Sequence, residues 1–142
     1  WKQQDFDAKL AYTEEDLKTF LMPLVGAGID MFHASNRRYW EPEFEGSNLN
    51  LAGWTKKLTG LPTITVGSVG LKSDFIGLYA GEDAVESQSI DDLVKRMEAD
   101  EFDMVAIGRA LLSDPEWVKK VKAGDFEEII PFEKKYAREV YF

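Results

Sequence analysis

The chain has 142 residues, enough for one domain of ordinary size, and a globular composition that is 44% hydrophobic and 30% charged. Its formal net charge of −9 argues against a nucleic-acid partner, because binding a phosphate backbone needs clustered Lys and Arg. The absence of cysteine excludes disulfides and thiol catalysis, and the single histidine disfavours a metal site. No apolar run reaches the length of about 18 residues that a membrane span needs, so we expect a cytoplasmic protein with no membrane partner.

The first predicted element is an amphipathic helix. Thr13 is followed by three acidic residues, a pattern typical of a capping box. The helix should end at Gly26-Ala27-Gly28, and Pro23 should kink it or leave one backbone hydrogen bond open. Its apolar stripe is predicted at Leu17, Phe20, Leu21, Leu24 and Val25.

The later elements alternate between apolar strands and helices. In chain order we predict a strand over 29–35, a loop over 36–47, a helix over 50–58, a strand over 62–67, an unreadable segment over 70–88, a helix from Ser89 to about Asp100, a strand over 102–107, a helix that starts at Asp114-Pro115-Glu116 and ends at Gly124, and a tail over 125–142. The inward positions of the last two helices are predicted at Ile90, Leu93, Val94 and Met97, and at Trp117, Val118 and Val121.

This order predicts a parallel α/β sheet with right-handed crossovers. A complete eight-stranded barrel needs about 250 residues, and three strands cannot close one. The pattern therefore leaves two architectures open: a small open α/β sheet, or the later part of a barrel.

Glycine-ended strands give the main candidate site. Gly67-Ser68 and Gly108-Arg109 stand where two of the predicted strands end, so backbone N–H groups, the Ser68 hydroxyl and the Arg109 guanidinium could bind a phosphate. The alternative is that turns simply favour Gly and that Arg109 caps a helix. Neither a Walker loop nor a GxGxxG motif is present.

Two further features have competing interpretations. His33 lies on an apolar strand, where a histidine is more often a satisfied core residue than a catalyst. The loop with Tyr39 and Trp40 follows a strand, so it could line a substrate pocket, or it could be a surface loop held by Arg–Glu pairs. No carboxylate pair suited to acid–base catalysis stands out.

Five stretches together resemble the old yellow enzyme family: residues 1–5, 28–35, 52–60, 62–70 and 106–115. Members of this family are FMN-dependent NAD(P)H:flavin oxidoreductases, or ene-reductases, on a (β/α)8 barrel. The resemblance implies that residues 1–142 form a C-terminal segment of one FMN-binding domain. That segment is a partial TIM (β/α)8 barrel of parallel strands six to eight, with Trp1 just past the fifth strand.

The resemblance also implies roles for particular residues. Gly67 and Ser68 match the turn after strand seven, and Gly108 with Arg109 matches the pair after strand eight; together these bind the FMN phosphate. Tyr39 and Trp40 match the aromatic loop that borders the substrate. His33 does not match the catalytic motif, and the residues that bind the carbonyl and donate the proton correspond to positions before this sequence. We therefore expect no catalytic residue and no metal ligand in this segment.

Two functional hypotheses follow. In the first, the chain is part of an ene-reductase that uses NAD(P)H to reduce activated alkenes such as enones, and the 142 residues alone are inactive. Its partners are then the small-molecule alkene and either the missing N-terminal barrel half or a second copy. In the second, it is a non-catalytic α/β phosphate-binding or self-associating half-barrel module, since an open half-barrel leaves strand edges to pair.

Overall fold

The computed structural model describes residues 2, 5, 7–72, 84–85 and 87–139. Trp1, most of the segment 70–88 and the final residues 140–142 lie outside the described residues. The helices are α1 (Glu14–Gly26), α2 (Leu51–Thr59), α3 (Asp91–Glu98), α4 (Arg109–Ser113), α5 (Trp117–Ala123), a 3-10 helix (Phe126–Glu128) and α6 (Lys134–Glu139). The strands are β1 (Phe32–Ser35), β2 (Thr63–Val66), β3 (Ala84–Val85), β4 (Met104–Ala106) and β5 (Phe132–Glu133).

The chain divides into two compact units. The first unit spans Trp1–Gly67 and Asp91–Ala106 and contains α1, α2, α3 and a three-stranded sheet of order β1-β2-β4. The second unit spans Ser68–Ile90 and Ile107–Phe142 and contains the β3-β5 pair with the later helices.

The sheet of the first unit is parallel throughout, as the alternation of strands and helices predicts. The α/β class is therefore confirmed. The strands are shorter than predicted: 32–35 replaces 29–35, 63–66 replaces 62–67, and 104–106 replaces 102–107. An apolar run indicates which residues can form a strand. The observed strand extends only over the residues that pair with a neighbouring strand.

The two faces of this sheet differ in exposure. Thr63 and Thr65 of β2 and Ala34 of β1 are buried on the face that α2 packs against. Residues paired across the strands on the opposite face all remain partly or fully accessible: His33, Ser35, Ile64, Val66, Met104 and Ala106. His33 is thus exposed, and its interpretation as a core histidine is wrong.

Helix α1 forms as its sequence predicts at both ends. Thr13 accepts a hydrogen bond from the backbone N–H of Asp16 at 3.1 Å, and the Asp16 carboxylate accepts from the N–H of Thr13 at 3.1 Å, which completes the capping box. The helix continues past Pro23 to Gly26. Only part of the predicted stripe is buried: Leu17 and Leu21 are buried, whereas Phe20 and Leu24 are exposed.

The same correction applies to α3 and α5. Leu93 and Trp117 are buried as predicted, but Val94, Met97 and Val118 are exposed. Periodicity identifies the apolar side of a helix, yet burial also requires a partner on that side.

The last predicted helix also starts later than expected, at Trp117. The Asp114 carboxylate accepts from the N–H of Glu116 at 3.1 Å, but it also binds Lys120 Nζ at 2.7 Å and the N–H of Ile130 at 3.0 Å. Asp114 therefore connects α5 to the chain that follows it instead of serving only as a cap. The short helix α4, directly before it, was not predicted.

The second unit contains a strand pair that the sequence did not predict. β3 and β5 are antiparallel, with Ala84 opposite Glu133 and Val85 opposite Phe132. Phe132 is fully buried with Leu71, and Tyr136 of α6 packs against them. This small core gives α4 and α6 a common surface to pack on.

Candidate phosphate site and pocket loop

Ser68 and Arg109 come together in the second unit. Arg109 Nη2 donates to Ser68 Oγ at 3.3 Å, although the two residues are 41 positions apart in the chain. Ser68 is 8% exposed, and the Arg109 guanidinium lies 5.8 Å from the centroid of the buried Phe132 ring. A guanidinium and a hydroxyl in direct contact are a donor set that suits a phosphate oxygen.

The turn that carries Ser68 is tightly built. Ser68 has a left-handed φ of +53°, and its carbonyl accepts from the N–H of Leu71 at 3.0 Å. Gly70 has a φ of +71°, and a Cβ there would lie 3.0 Å from Cζ2 of the Trp117 indole. The backbone of this turn is therefore fixed by packing against α5, which holds the Ser68 hydroxyl in place.

Gly67 precedes this turn and belongs to the first unit. Its φ is +125°, and a Cβ there would lie 2.5 Å from the Asn36 carbonyl oxygen and 2.6 Å from the Arg37 carbonyl carbon. Its own carbonyl accepts from the N–H of Tyr39 at 3.2 Å. The close approach that requires glycine here is made by the chain's own loop after β1, and a role toward a cofactor stays a prediction.

Gly108 stands directly before α4 in the second unit. An added Cβ would meet nothing within 4 Å, and its φ of −107° is open to any residue. Neither a close contact nor a left-handed φ requires glycine at this position within the described residues. Its role beside Arg109 also stays a prediction.

Tyr39 and Trp40 lie in the loop after β1, which we call the pocket loop (residues 36–50). Tyr39 is buried, with 1% of its surface exposed, while Trp40 is half-buried and meets the Tyr39 ring edge-on at 5.1 Å. Burial raises the pKa of the Tyr39 phenol, and the Asp92 carboxylate adds to the rise, while Arg96 and the backbone of Leu93 oppose it. Of the two rings, Trp40 is the one that a ligand can reach.

Three residues that the sequence did not single out hold the pocket loop. Asn50 is fully buried; its Nδ2 donates to the Tyr39 carbonyl at 2.7 Å and to Thr65 Oγ1 at 3.2 Å, and its Oδ1 accepts from the N–H of Gly53 at 2.8 Å. Arg96 reaches the loop from α3, as described below. Only Asn50 carried a sequence signal, since Asn is favoured immediately before a helix.

Glu43 is the third anchor of the pocket loop. Its carboxylate is buried and accepts Lys9 Nζ at 3.2 Å and Lys2 Nζ at 3.3 Å, while its backbone N–H donates to the Leu49 carbonyl at 3.0 Å. The predicted Arg–Glu pairing also occurs, between Arg38 and Glu41 at 2.8 Å. The loop is therefore a packed structure in which Trp40 keeps partial access to solvent.

His33 lines a cavity of about 220 Å³ in the first unit. Its other walls are mostly apolar side chains of α1, β1 and α2, among them Phe20, Leu21 and Leu51.

Among the described residues no group of three His, Asp or Glu side chains could hold a metal ion. None of the described helices is both long and apolar enough to cross a membrane.

Comparison with known proteins relates the chain to oxidoreductases. It is 33% identical over 125 residues to a protein described as NADH oxidase from Thermoanaerobacter brockii, a match that covers 82% of this chain. The match covers 16% of that relative, so the chain spans about a sixth of its length. No family model matches the sequence.

Proposed function

We propose that the chain is a segment of an FMN-dependent NAD(P)H oxidoreductase of the old yellow enzyme type, an ene-reductase that reduces activated alkenes such as enones. The observation that carries the proposal is the hydrogen bond between Arg109 and Ser68, two residues that follow β4 and β2. The relative described as an NADH oxidase supports the choice of a nicotinamide as reductant.

The donor set fits the phosphate end of FMN. The Arg109 guanidinium supplies charge-assisted hydrogen bonds, and the Ser68 hydroxyl supplies another donor on a turn fixed by packing. Gly67 and Gly108 would add their backbone N–H groups. When bound, FMN supplies hydride transfer between the nicotinamide and the alkene. Trp40 would border the alkene, and the Tyr39 ring, which meets the Trp40 ring edge-on, would support it.

We also propose that residues 1–142 form strands six to eight of one (β/α)8 barrel domain, with β1, β2 and β4 as those strands. Support comes from the parallel order and from the accessible face that carries Ile64, Val66 and Met104. Parallel sheets are ordinarily covered on both faces, so such a face suits the interior of a barrel.

The direct test is NAD(P)H-dependent reduction of a simple enone. The natural gene product that contains this sequence, loaded with FMN, should turn the enone over, whereas the 142-residue chain alone should show negligible activity. The electrophile-binding and proton-donating groups are expected outside this segment. Flavin-dependent turnover by the isolated chain would refute the segment assignment, and an inert natural protein would refute the ene-reductase assignment.

The exposed apolar residues favour one alternative, a non-catalytic phosphate-binding or self-associating module. Phe20, Met31, Val94 and Met104 are each 38–44% exposed in the first unit. Sizing chromatography separates the two ideas. A compact monomer would favour an independent phosphate-binding module, a dimer would favour a self-associating half-barrel module, and a complex with an N-terminal barrel half would favour the enzyme segment.

A further inference from the structure

The side chain of Arg96 connects the pocket loop to α3. Its Nη1 donates to the Asn48 carbonyl at 3.0 Å, and its Nη2 donates to the Trp40 carbonyl at 3.4 Å. These two carbonyls stand near the two ends of the loop. One guanidinium therefore links both arms of the loop to the same helix.

Two carboxylates also accept hydrogen bonds from that guanidinium. Arg96 Nε donates to Asp92 at 2.8 Å and Nη1 donates to Glu101 at 3.1 Å. The Arg96 side chain is only 14% exposed, so these contacts are poorly screened by water. A planar fork with five donors can serve all four acceptors at once, whereas a lysine ammonium cannot.

Helix α3 also holds the residue next to Trp40. Burial raises the pKa of the Tyr39 phenol and interaction with the backbone of Leu93 opposes that rise, so this phenol lies beside α3. The side chain of residue 39 and the carbonyl of residue 40 thus both end on α3, one turn apart. Trp40 is thus bound through its own carbonyl, and its neighbour Tyr39 and the more distant Asn48 are also connected to α3.

We propose that Arg96 is a positioning residue for substrate recognition, because it sets the placement of the Trp40 ring through the backbone of the pocket loop. This inference rests on the proposed function, in which Trp40 borders the alkene. Arg96 itself touches neither the alkene nor the flavin in this account. Its loss should weaken alkene binding while leaving the binding of FMN and the chemical step nearly intact.

The test uses the natural gene product with Arg96→Met, Arg96→Lys and a matched control, Asp92→Asn. The control removes one exposed ion-pair partner of Arg96 but leaves both loop carbonyls bound. We expect Arg96→Met to raise the KM for the enone about tenfold with kcat within about threefold, and Arg96→Lys to rescue little of this loss. Asp92→Asn should stay near the wild-type values.

Hydrogen–deuterium exchange of residues 36–50 gives a readout that does not depend on activity. The positioning role is supported if this segment exchanges faster in Arg96→Met and Arg96→Lys while Asp92→Asn exchanges like the wild type. The melting temperature should be unchanged in all three variants. Unchanged exchange, or a fall in kcat with no change in KM, overturns it. If the wild-type protein reduces no enone, the proposed function and the recognition role fail together, and the exchange data still decide whether Arg96 holds the loop.

Discussion

At the scale of single residues, Gly67 is where sterics are most demanding. A side chain there would meet the backbone of Asn36 and Arg37 at 2.5–2.7 Å with φ at +125°. We expect Gly67→Ala to lower the free energy of unfolding by about 3 kcal/mol, because the strain of a positive φ and the steric overlap with the loop backbone both destabilise the folded state. Gly60→Ala is the control, because its φ is also positive, at +69°, but its surroundings are open. Urea unfolding of Gly60→Ala should show that the free energy of unfolding falls by only about 1 kcal/mol. Equal losses in the two variants would contradict the close approach of the loop backbone to Gly67.

Asp114 makes stability depend on pH. It is buried, which by itself raises its pKa, but Lys120 and the backbone N–H groups of Ile130 and Glu116 outweigh burial and lower that pKa below the ordinary 3.8. A carboxylate whose folded pKa is depressed stabilises the fold above its unfolded pKa, and the contribution is lost as pH falls through the folded value.

We therefore expect Asp114→Asn to reduce stability at pH 7 and to flatten the loss of stability below pH 3.8, the ordinary pKa of an aspartate. Unfolding free energies measured from pH 7 downward test this. Glu127→Gln, an exposed acid of the same unit, is the charge-matched control. Parallel pH profiles for Asp114→Asn and the wild type would show that the Asp114 contacts contribute nothing.

At the scale of elements, Asn50 does more than cap α2. Asn50→Ala would remove the cap, which should lower the free energy of unfolding by about 1 kcal/mol. It would also leave the buried Tyr39 carbonyl without its donor, which should lower that free energy by about 1–3 kcal/mol more. Thr13→Ala removes only an exposed cap from α1, so it should cost about 1 kcal/mol. Chemical denaturation compares the two variants. Similar losses would mean that Asn50 acts as a cap alone.

The elements also show what a sequence can and cannot reveal. The capping box at Thr13 and the end of α5 at Gly124 follow from local signals, and the parallel sheet of β1, β2 and β4 follows from the alternation of strands and helices; all three are confirmed. The pairing of residues 84–85 with 132–133 has no local signal, because the partners are distant and no turn connects them.

The candidate site likewise contains contacts that the sequence predicts and contacts that it does not. The order of strands predicts that the residues after β2 and β4 approach each other, and Ser68 and Arg109 do so. The contacts of Arg96 were not foreseeable, because its acceptors on the pocket loop are backbone carbonyls that carry no residue identity. The exposed Val94 and Phe20 show that a helical stripe predicts which side is apolar, but not whether anything covers it.

At the scale of the whole molecule, the central claim is that Arg109 and Ser68 hold the phosphate of FMN. The most direct measurement is a flavin titration of the natural gene product with FMN and with riboflavin, which lacks the phosphate. The account predicts that Arg109→Gln weakens FMN binding about ten- to a hundredfold, the cost of a lost charge-assisted hydrogen bond, and leaves riboflavin affinity unchanged. Lys119→Gln, which breaks an exposed ion pair with Glu116 in the same unit, should change neither affinity. Equal binding of FMN and riboflavin, or FMN binding that Arg109→Gln leaves intact, would contradict the account.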